Sequence, residues 1–317
     1  MALTNFPNGV SSFGVPVGGL FTNGKPWFVK PGTGTIGNDG NDGTSLEGPL
    51  ASLAAAHTLA TADANDVVYM LASSNTAANT TDSLTTSLLW SKDATHLVGV
   101  NAGNAISQRS RVGAASTAVA ASIAPLVTWS ANDCYVENIQ FISEFADAAA
   151  VGGVLVSGMR NHFRNCHFAG GATTTQDVAG QYSLKVTGAE NLFEDCTIGI
   201  DTISRATATY EMYMTTGARN IFRNCRIITY AGHDTMTWLT TAGSLDRFAL
   251  FENCTFYNAV KSAATTMAQG FGVGHTGGMI ILKGCTLIGA THSETTVGGY
   301  VYQDPTSTRL AVATTVL

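Results

Sequence analysis

A short sequence frame recurs about every 29 residues, and a repeat of this length limits the chain to a stacked architecture. The frames read FRNCHF, FEDCTI, FRNCRI, FENCTF and LKGCTL, and an earlier copy, VENIQF, carries isoleucine in place of cysteine. The repeated cysteines are Cys166, Cys196, Cys225, Cys254 and Cys285. Such a period predicts one structural unit per copy, each packed on the next.

Each frame alternates apolar and polar residues with a period of two, which is typical of a strand with one buried face. The residue before the cysteine is Asn, Asp or Gly, the types that tolerate a left-handed backbone. We therefore expect a sharp bend between two short strands, with stacked side chains. The bend positions are Asn138, Asn165, Asp195, Asn224, Asn253 and Gly284.

The residue two positions before the cysteine changes its charge sign from copy to copy. The series is Glu137, Arg164, Glu194, Arg223, Glu252 and Lys283. If the copies stack as coils about 4.8 Å apart, every charge faces opposite charges above and below. Each cross-strand pair contributes roughly 0.2–1 kcal/mol. This alternation favours parallel coils stacked in register, and a second short strand ending in glycine precedes most frames.

Two segments carry a likeness to a known family. Residues 27–71 read WFVKPGTGTIGNDGNDGTSLEGPLASLAAAHTLATADANDVVYML, and residues 96–103 read HLVGVNAG. The chain resembles the right-handed parallel β-helix proteins of the pectate-lyase-like superfamily. The resemblance implies an all-β fold: a single-stranded right-handed parallel β-helix (solenoid) of about eight coils, with an N-terminal capping helix and an extended N-terminal arm.

The composition divides the chain into four segments. We expect an extended arm over residues 1–26, then a strand, a Gly/Asn/Asp loop and a capping helix over 27–66. The parallel β-helix covers 67–289, and a C-terminal cap or subunit-contact tail covers 290–317. The helix is predicted from Pro49 to about Ala60, where it covers the unpaired strand edges at the end of the solenoid.

The cysteine series and one acidic loop are the candidate metal sites of the sequence. One buried thiol per coil, without a CxxC pair, predicts structural cysteines rather than zinc ligands or disulfides. The loop at Asp39, Asn41 and Asp42 fits a turn entering the helix, and whether it holds a metal stays open. No catalytic residue, cofactor or metal is assigned.

Glycosidases on this fold need two carboxylates on an outer face at a set separation. After the charge series is removed, the remaining acids are Asp201, Glu211, Asp234 and Asp246. No two of them share a frame position in adjacent coils. His167 faces outward by the alternation and is expected to be solvated.

The charge balance excludes one class of partner. Charged residues make up 12% of the chain and the formal net charge is −6. A nucleic-acid binder needs a basic face, so none is expected. No apolar run approaches the roughly 18 residues of a membrane span, and the N-terminus lacks a signal-peptide pattern, so a cytosolic origin without membrane contact is predicted.

The N-terminal residues MALTNFPNGVSSFGVPVGG resemble the openings of bacteriophage structural proteins. That resemblance implies a virion protein assembled in the host cytoplasm, a non-catalytic capsid decoration (cement) protein that binds the outer surface of a phage head and stabilises it. The implied partners are the major capsid protein or another virion surface and, in a homotrimer, further copies of the chain. The arm would bind through Phe6, Phe13 and Val15. Two alternatives stay open: a tailspike-type polysaccharide depolymerase with paired carboxylates, and a glycan-binding adhesin with stacked aromatic residues on one outer face.

Overall fold

The computed structural model describes residues 11–12, 15–16, 24–32, 36–72, 80–207, 210–259, 266–292 and 301–310. Its body is a stack of short parallel strands arranged in three sheets. The predicted all-β, right-handed parallel β-helix is confirmed. The seven strands of the shortest of the three sheets give about seven turns, one fewer than expected.

The elements are short, with most strands three to six residues long. In chain order the first are β1 Ser11–Ser12, β2 Val15–Pro16, β3 Pro26–Val29, α1 Leu53–Leu59, β4 Val67–Leu71, β5 Thr81–Leu84, β6 Leu88–Trp90, β7 His96–Val100, β8 Ser110–Ala114, β9 Val127–Trp129 and β10 Tyr135–Glu137. The next are β11 Ile139–Ile142, β12 Val154–Val156, β13 His162–Arg164, β14 His167–Ala169, β15 Leu184–Val186, β16 Leu192–Glu194, β17 Thr197–Arg205, β18 Tyr210–Met214, β19 Ala218–Arg223 and β20 Arg226–Ala231. The last are β21 Thr237–Ser244, β22 Asp246–Glu252, β23 Thr255–Asn258, β24 Met267–Gln269, β25 Phe271–Thr276, β26 Met279–Lys283, β27 Thr286–Ile288, β28 Ala290–His292, β29 Val301–Gln303 and β30 Thr308–Leu310. Short 3₁₀ turns lie at Ala120–Ile123 and Thr174–Gln176.

Each complete coil contributes one strand to each of three sheets, and the terminal coils contribute to fewer. Sheet 1 has the order β29-β26-β22-β19-β16-β13-β10-β7-β4-β3, and sheet 2 has the order β30-β27-β23-β20-β17-β14-β11-β8-β5. Sheet 3 has the order β25-β21-β18-β15-β12-β9-β6. Neighbouring strands in all three are parallel, so equivalent residues of successive coils lie side by side.

The bend between sheets 1 and 2 has the geometry that the sequence predicts. All six bend residues have positive φ, from 47° at Asn165 to 62° at Gly284. Asn165 Nδ2 donates to Asn138 Oδ1 of the preceding coil at 2.6 Å. A left-handed residue turns the chain within a residue or two, which keeps the two strands short and the coils in register.

Aromatic rings stack along the interior. Phe163, Phe193, Phe222 and Phe251 follow one another with ring centroids 5.0, 4.7 and 4.6 Å apart and nearly parallel planes. The tryptophans Trp90, Trp129 and Trp238 are also fully buried. Stacked aromatic residues add attraction beyond their buried area, so they help to fix the register of the coils.

The alternating charges form a continuous row on the outside of sheet 1. Arg164 lies 3.7 Å from Glu137 and 3.9 Å from Glu194. Arg223 lies 3.6 Å from Glu194 and 3.0 Å from Glu252, and Lys283 lies 2.8 Å from Glu252.

A second polar row lies at the turn from sheet 3 to sheet 1, and it was not predicted from the sequence. Asn161 Nδ2 donates to Asn191 Oδ1 at 3.1 Å, and Asn191 Nδ2 donates to Asn220 Oδ1 at 3.2 Å. All three are buried. The signal was present in the sequence, because asparagine stands five residues before the cysteine in three consecutive frames.

The helix at the N-terminal end is shorter than expected. It begins after Ser52, whose side chain accepts a hydrogen bond from the Ala55 backbone, rather than at Pro49. Helix α1 contacts β3, β4 and β6 at the start of the solenoid. Among the described residues, no helix has the length and apolar character needed to span a membrane.

The predicted arm residues fall largely outside the described part of the chain. Phe6 and Phe13 lie outside the described residues, and for Val15 only its backbone, in β2, is described. In the C-terminal segment, β29 and β30 extend sheets 1 and 2 by pairing with β26 and β27.

Candidate functional site

The connection from sheet 1 to sheet 2 after β7 is longer than the connections of the repeat frames. In the repeat frames one or two residues separate the strands, whereas residues 101–109 separate β7 from β8. We call residues 101–109 the strap, because they extend across the bends of the following coils. A long insertion in an otherwise regular repeat is typical of a functional loop.

The strap is anchored at both ends and near its middle. Asn101 Nδ2 donates to Asn138 O at 3.0 Å, and Gln108 Nε2 donates to Asn165 O at 2.6 Å. Between these ends, the backbone oxygen of Ala105 accepts from Thr197 Oγ1 at 2.8 Å. The strap therefore crosses three successive coils as a fixed wall.

A cavity of about 230 Å³ lies beside the strap on the outer face of sheet 2. We call it the sheet 2 cavity. Its polar lining includes Arg111, Gln140, His167, Glu144 and Asp201. Arg111, Gln140 and His167 are direct neighbours across β8, β11 and β14, so the parallel register brings them together.

His167 is neutral and fixed in one orientation. Its Nδ1 accepts from the Ser107 backbone at 3.4 Å and lies 3.0 Å from Gln140 Nε2, while its Nε2 lies 3.1 Å from the Gly199 carbonyl oxygen. Nε2 therefore carries the proton. Burial lowers the pKa of His167 to about 4. The expectation of a solvated His167 is wrong, because the strap covers it and leaves 5% exposed.

Two further polar side chains, Gln140 and Arg111, line the cavity. Gln140 is buried, and no described atom is a hydrogen-bond partner of its Oε1. Arg111 Nε donates to the Gln108 carbonyl at 3.2 Å. Burial and the neighbouring Arg109 lower the pKa of Arg111, whereas the charge of Glu144 acts in the opposite direction. A buried acceptor and a half-buried cation can together orient a hydroxyl-bearing ligand.

The two carboxylates of the cavity come from coils two apart. Glu144 follows β11 and is exposed, and Asp201 lies in β17 and is half-buried. One strand, β14, separates β11 from β17, so their backbones are about 10 Å apart. Inverting glycosidases hold their carboxyl pair about 6.5–9.5 Å apart. Backbones at this separation can carry two carboxyl groups with a sugar linkage and a water between them.

A buried ion pair supports the far wall of the cavity. Arg205 Nε lies 3.4 Å from Glu211 Oε1, and both side chains are at most 1% exposed. Arg205 Nη2 donates to the Gly170 carbonyl at 2.6 Å. Gly170 lies between Ala169 and Ala172, which line the cavity, so the pair fixes this wall.

The cysteines lie inside the solenoid, away from the outer cavity. All six are buried and free of disulfides. Burial raises the pKa of Cys134 to about 12 and raises the pKa of Cys196, Cys225 and Cys254 well above the ordinary value. Thiols held in this protonated state are poor nucleophiles.

The acidic loop before helix α1 is occupied by hydrogen bonds within the chain. Asp39 accepts from the backbone of Ala51 and Ser52 at 2.8 and 2.9 Å, and Asn41 Nδ2 donates to Pro49 O at 2.7 Å. Asp42 accepts from the Thr44 backbone, which lowers the pKa of its carboxyl. Within the described ranges, no group of three or more His, Cys, Asp or Glu side chains could hold a metal ion.

A second, shallower cavity of about 430 Å³ lies on the other side of the strap. We call it the bend cavity, because it covers the bends of three coils. Its lining combines residues of the predicted charge series and of the predicted bend positions with Arg226 of sheet 2. These residues are Glu137, Asn138, Arg164, Asn165, Asp195 and Arg226. The other acids considered from the sequence lie elsewhere, with Asp234 paired to His233 at 2.8 Å and Asp246 to Arg247 at 3.3 Å.

Sequence reasoning missed Arg111, Gln140 and Glu144 as site residues. The available signals were the outward positions of the strands after each bend and the length of the strap. Neither signal predicts the distances between the outward side chains of the site, because these depend on which coils the strap crosses.

The chain matches no known family model and no curated protein sequence. Solved structures share its fold. Pectin methylesterase PemA from Erwinia chrysanthemi is 15% identical, with a TM-score of 0.56, over 93% of this chain and 92% of that one. Pectate lyase Pel9A is 15% identical, with a TM-score of 0.55, over 84% and 64% of the two chains. The pectin methylesterase from Aspergillus niger is 14% identical, with a TM-score of 0.56, over 93% and 88%.

At this identity the likeness shows the fold alone, a right-handed parallel β-helix. It also corrects two expectations. A non-catalytic capsid decoration protein and the absence of enzymatic activity were predicted, but the similar structures are pectin methylesterases and a pectate lyase, which are enzymes. Both expectations are wrong on this comparison, and the alternative of polysaccharide processing is better supported.

Proposed function

We propose that the protein binds a polysaccharide on the outer face of sheet 2 and hydrolyses it in the sheet 2 cavity. The observation that carries this proposal is the pair of carboxylates, Glu144 and Asp201, in one cavity with Arg111 and with Gln140, whose buried Oε1 has no hydrogen-bond partner among the described residues. The shared fold with carbohydrate-active enzymes supports the same class of substrate.

The two carboxylates would take different parts in the reaction. Glu144 is the more exposed of the two carboxylates, so it meets solvent water and takes the part of the general base. Asp201, half-buried in the same cavity, takes the part of the general acid. Water attacks the anomeric carbon while Asp201 protonates the leaving oxygen, so one C–O bond forms as the other breaks. The proton lost by water goes to Glu144.

The test is a reducing-end assay on a panel of bacterial surface and plant cell-wall polysaccharides. We expect Glu144→Gln and Asp201→Asn each to lower the hydrolysis rate by at least about a hundredfold, the usual contribution of general acid–base catalysis. Glu47→Gln is the matched control, because Glu47 is an exposed acid outside the cavity. Equal rates for all four proteins would contradict the proposal.

A glycan-binding adhesin is the second candidate, and one observation favours it. Tyr210 and Tyr213 stack with ring centroids 4.9 Å apart on β18, and Lys185 Nζ lies 5.2 Å from the centre of the Tyr213 ring. Aromatic groups on an outer face suit contact with sugar rings. Saturable glycan binding without any release of reducing ends would support this candidate over the hydrolase.

The bacteriophage origin, the virion location, the virion surface as partner and the homotrimer stay predictions. A depolymerase or adhesin of the tailspike type is compatible with all four. Light scattering tests the homotrimer directly, since it reports whether the particle in solution has three times the mass of one chain.

A further inference from the structure

The bend cavity has a lining unlike that of an ion site. Arg164 and Arg226 supply hydrogen-bond donors, Glu137 and Asp195 supply acceptors, and the amide of Asn138 supplies both. Charges of both signs surround the same space, so a ligand with a net charge would meet repulsion as well as attraction. A neutral ring with several hydroxyl groups can instead donate to the carboxylates and accept from the guanidinium groups.

The strap joins this cavity to the sheet 2 cavity. Gly103 and Ala105 line the bend cavity, while Ile106 and Ser107 line the sheet 2 cavity. Ile106 is 43% exposed, so an apolar side chain marks the crossing point between the two cavities. Because the strap is hydrogen-bonded at both ends and near its middle, both cavities exist before a ligand arrives.

We propose that the bend cavity is a second sugar-binding subsite, which takes a neutral, hydroxyl-rich sugar unit of the chain that occupies the sheet 2 cavity. The sugar chain crosses the strap at Ile106 and runs across the coils' bends rather than only along sheet 2. This inference rests on the proposed function, since it assumes that the sheet 2 cavity takes a glycan.

Arg226 is the best residue for testing the subsite. Its side chain is exposed, it takes no part in the charge row of sheet 1, and its Nη1 donates to Thr197 Oγ1 at 3.4 Å. Arg226→Ala therefore removes donors from the bend cavity without breaking that row. Arg247→Ala is the matched control, because Arg247 is equally an exposed arginine but lies at the start of β22 in sheet 1, outside both cavities.

The experiment uses an array of defined oligosaccharides, from disaccharides to octasaccharides, followed by calorimetric titration of those that bind. We expect the unaltered protein to bind the longer members of a series more tightly than its disaccharide. Arg226→Ala should weaken binding of the longer members about tenfold, as expected for lost hydrogen bonds to a charged group, and leave disaccharide binding within about twofold. Arg247→Ala should change neither.

Each outcome separates this inference from the proposed function. Binding that does not depend on oligosaccharide length, or that Arg226→Ala leaves unchanged for the longer members, would overturn the second subsite. Length-dependent binding that Arg226→Ala weakens, without any hydrolysis, would support the subsite and contradict the proposed hydrolysis. A protein that binds no glycan on the array would overturn both.

Discussion

At the scale of single residues, Arg205 and Glu211 stand out because they form a fully buried ion pair in a chain with few charges. Glu211 also accepts from Ser183 Oγ at 2.7 Å and from Thr229 Oγ1 at 3.0 Å. Burying a charge is costly unless it is paired and hydrogen-bonded. The network around Glu211 meets that condition, so removal of one partner leaves an uncompensated charge.

Arg205→Ala should lower the free energy of unfolding by about 3–5 kcal/mol, because Glu211 then stays buried without its cation. Urea unfolding followed by circular dichroism measures this. Arg219→Ala, which removes the exposed partner of Glu190, should cost at most about 1 kcal/mol. Similar losses of unfolding free energy in the two variants would show that the buried pair stabilises the fold no more than the exposed pair does.

His167 makes stability depend on pH. Burial lowers its pKa from 6.5 to about 4, so the folded state binds a proton less readily than the unfolded state. Its stabilising contribution is complete above pH 6.5 and is lost as the pH falls toward 4. Asp82 acts in the opposite sense, because burial raises the pKa of its carboxyl to about 6.

Comparison with His167→Gln isolates the histidine, since glutamine accepts and donates hydrogen bonds but does not titrate. Between about pH 7 and pH 4.5, the unaltered protein should lose roughly 2–3 kcal/mol more unfolding free energy than the variant. Urea titrations at the two pH values give this difference. Parallel losses in the two proteins would mean that His167 is not the titrating group.

At the scale of elements, the bend between sheets 1 and 2 decides how one strand follows the next. Asn224 joins β19 to β20 with φ of 53°. A residue with a β-carbon and no polar side chain is strained there, because its β-carbon approaches the following carbonyl oxygen.

Asn224→Ala should therefore cost about 1–2 kcal/mol of unfolding free energy. Asn224→Gly should fall within about 1 kcal/mol of the unaltered protein, because glycine adopts positive φ freely but loses more entropy on folding. Thermal or urea unfolding of the two variants measures the difference. An alanine variant at least as stable as the glycine variant would contradict the role assigned to this bend.

The regular elements could be predicted from the sequence because they repeat. Alternation around Cys166 and its equivalents indicated which side chains point inward, and residue types at the bends indicated positive φ. The strap could not be placed in this way, since its residues have no counterpart in the repeat frames. The presence of Glu144 and Asp201 in one cavity was equally out of reach, because Glu144 lies in the loop after β11 and β17 departs from its register with β20 after Ile200.

The first residue of helix α1 could not be predicted from the sequence either. Its apolar residues and the preceding proline predicted a helix, but the start depends on long-range hydrogen bonds. Ser52 Oγ donates to Asp39 at 2.8 Å, and Asp82 of β5 accepts from the Leu53 backbone at 2.8 Å. These contacts join segments that are distant in sequence, so local propensity alone could not locate the first turn.

At the scale of the whole molecule, the solenoid is a regular scaffold, and the proposed site lies where the chain departs from that regularity. One inserted strap covers a row of outward side chains and creates a cavity on each side. The same fold supports several chemistries, so the likeness to pectin methylesterases and a pectate lyase shows the scaffold and leaves the reaction to the site.

The most direct test of the central claim is the stereochemistry of hydrolysis. A polysaccharide that the protein cleaves is treated with the unaltered protein and with the Glu144→Gln, Asp201→Asn double variant, and nascent reducing ends are followed by proton NMR. Two carboxylates on strands whose backbones are about 10 Å apart predict an inverted anomer from the unaltered protein and no product from the double variant. The account would be contradicted if the double variant formed product at an unchanged rate, or if the unaltered protein cleaved no polysaccharide.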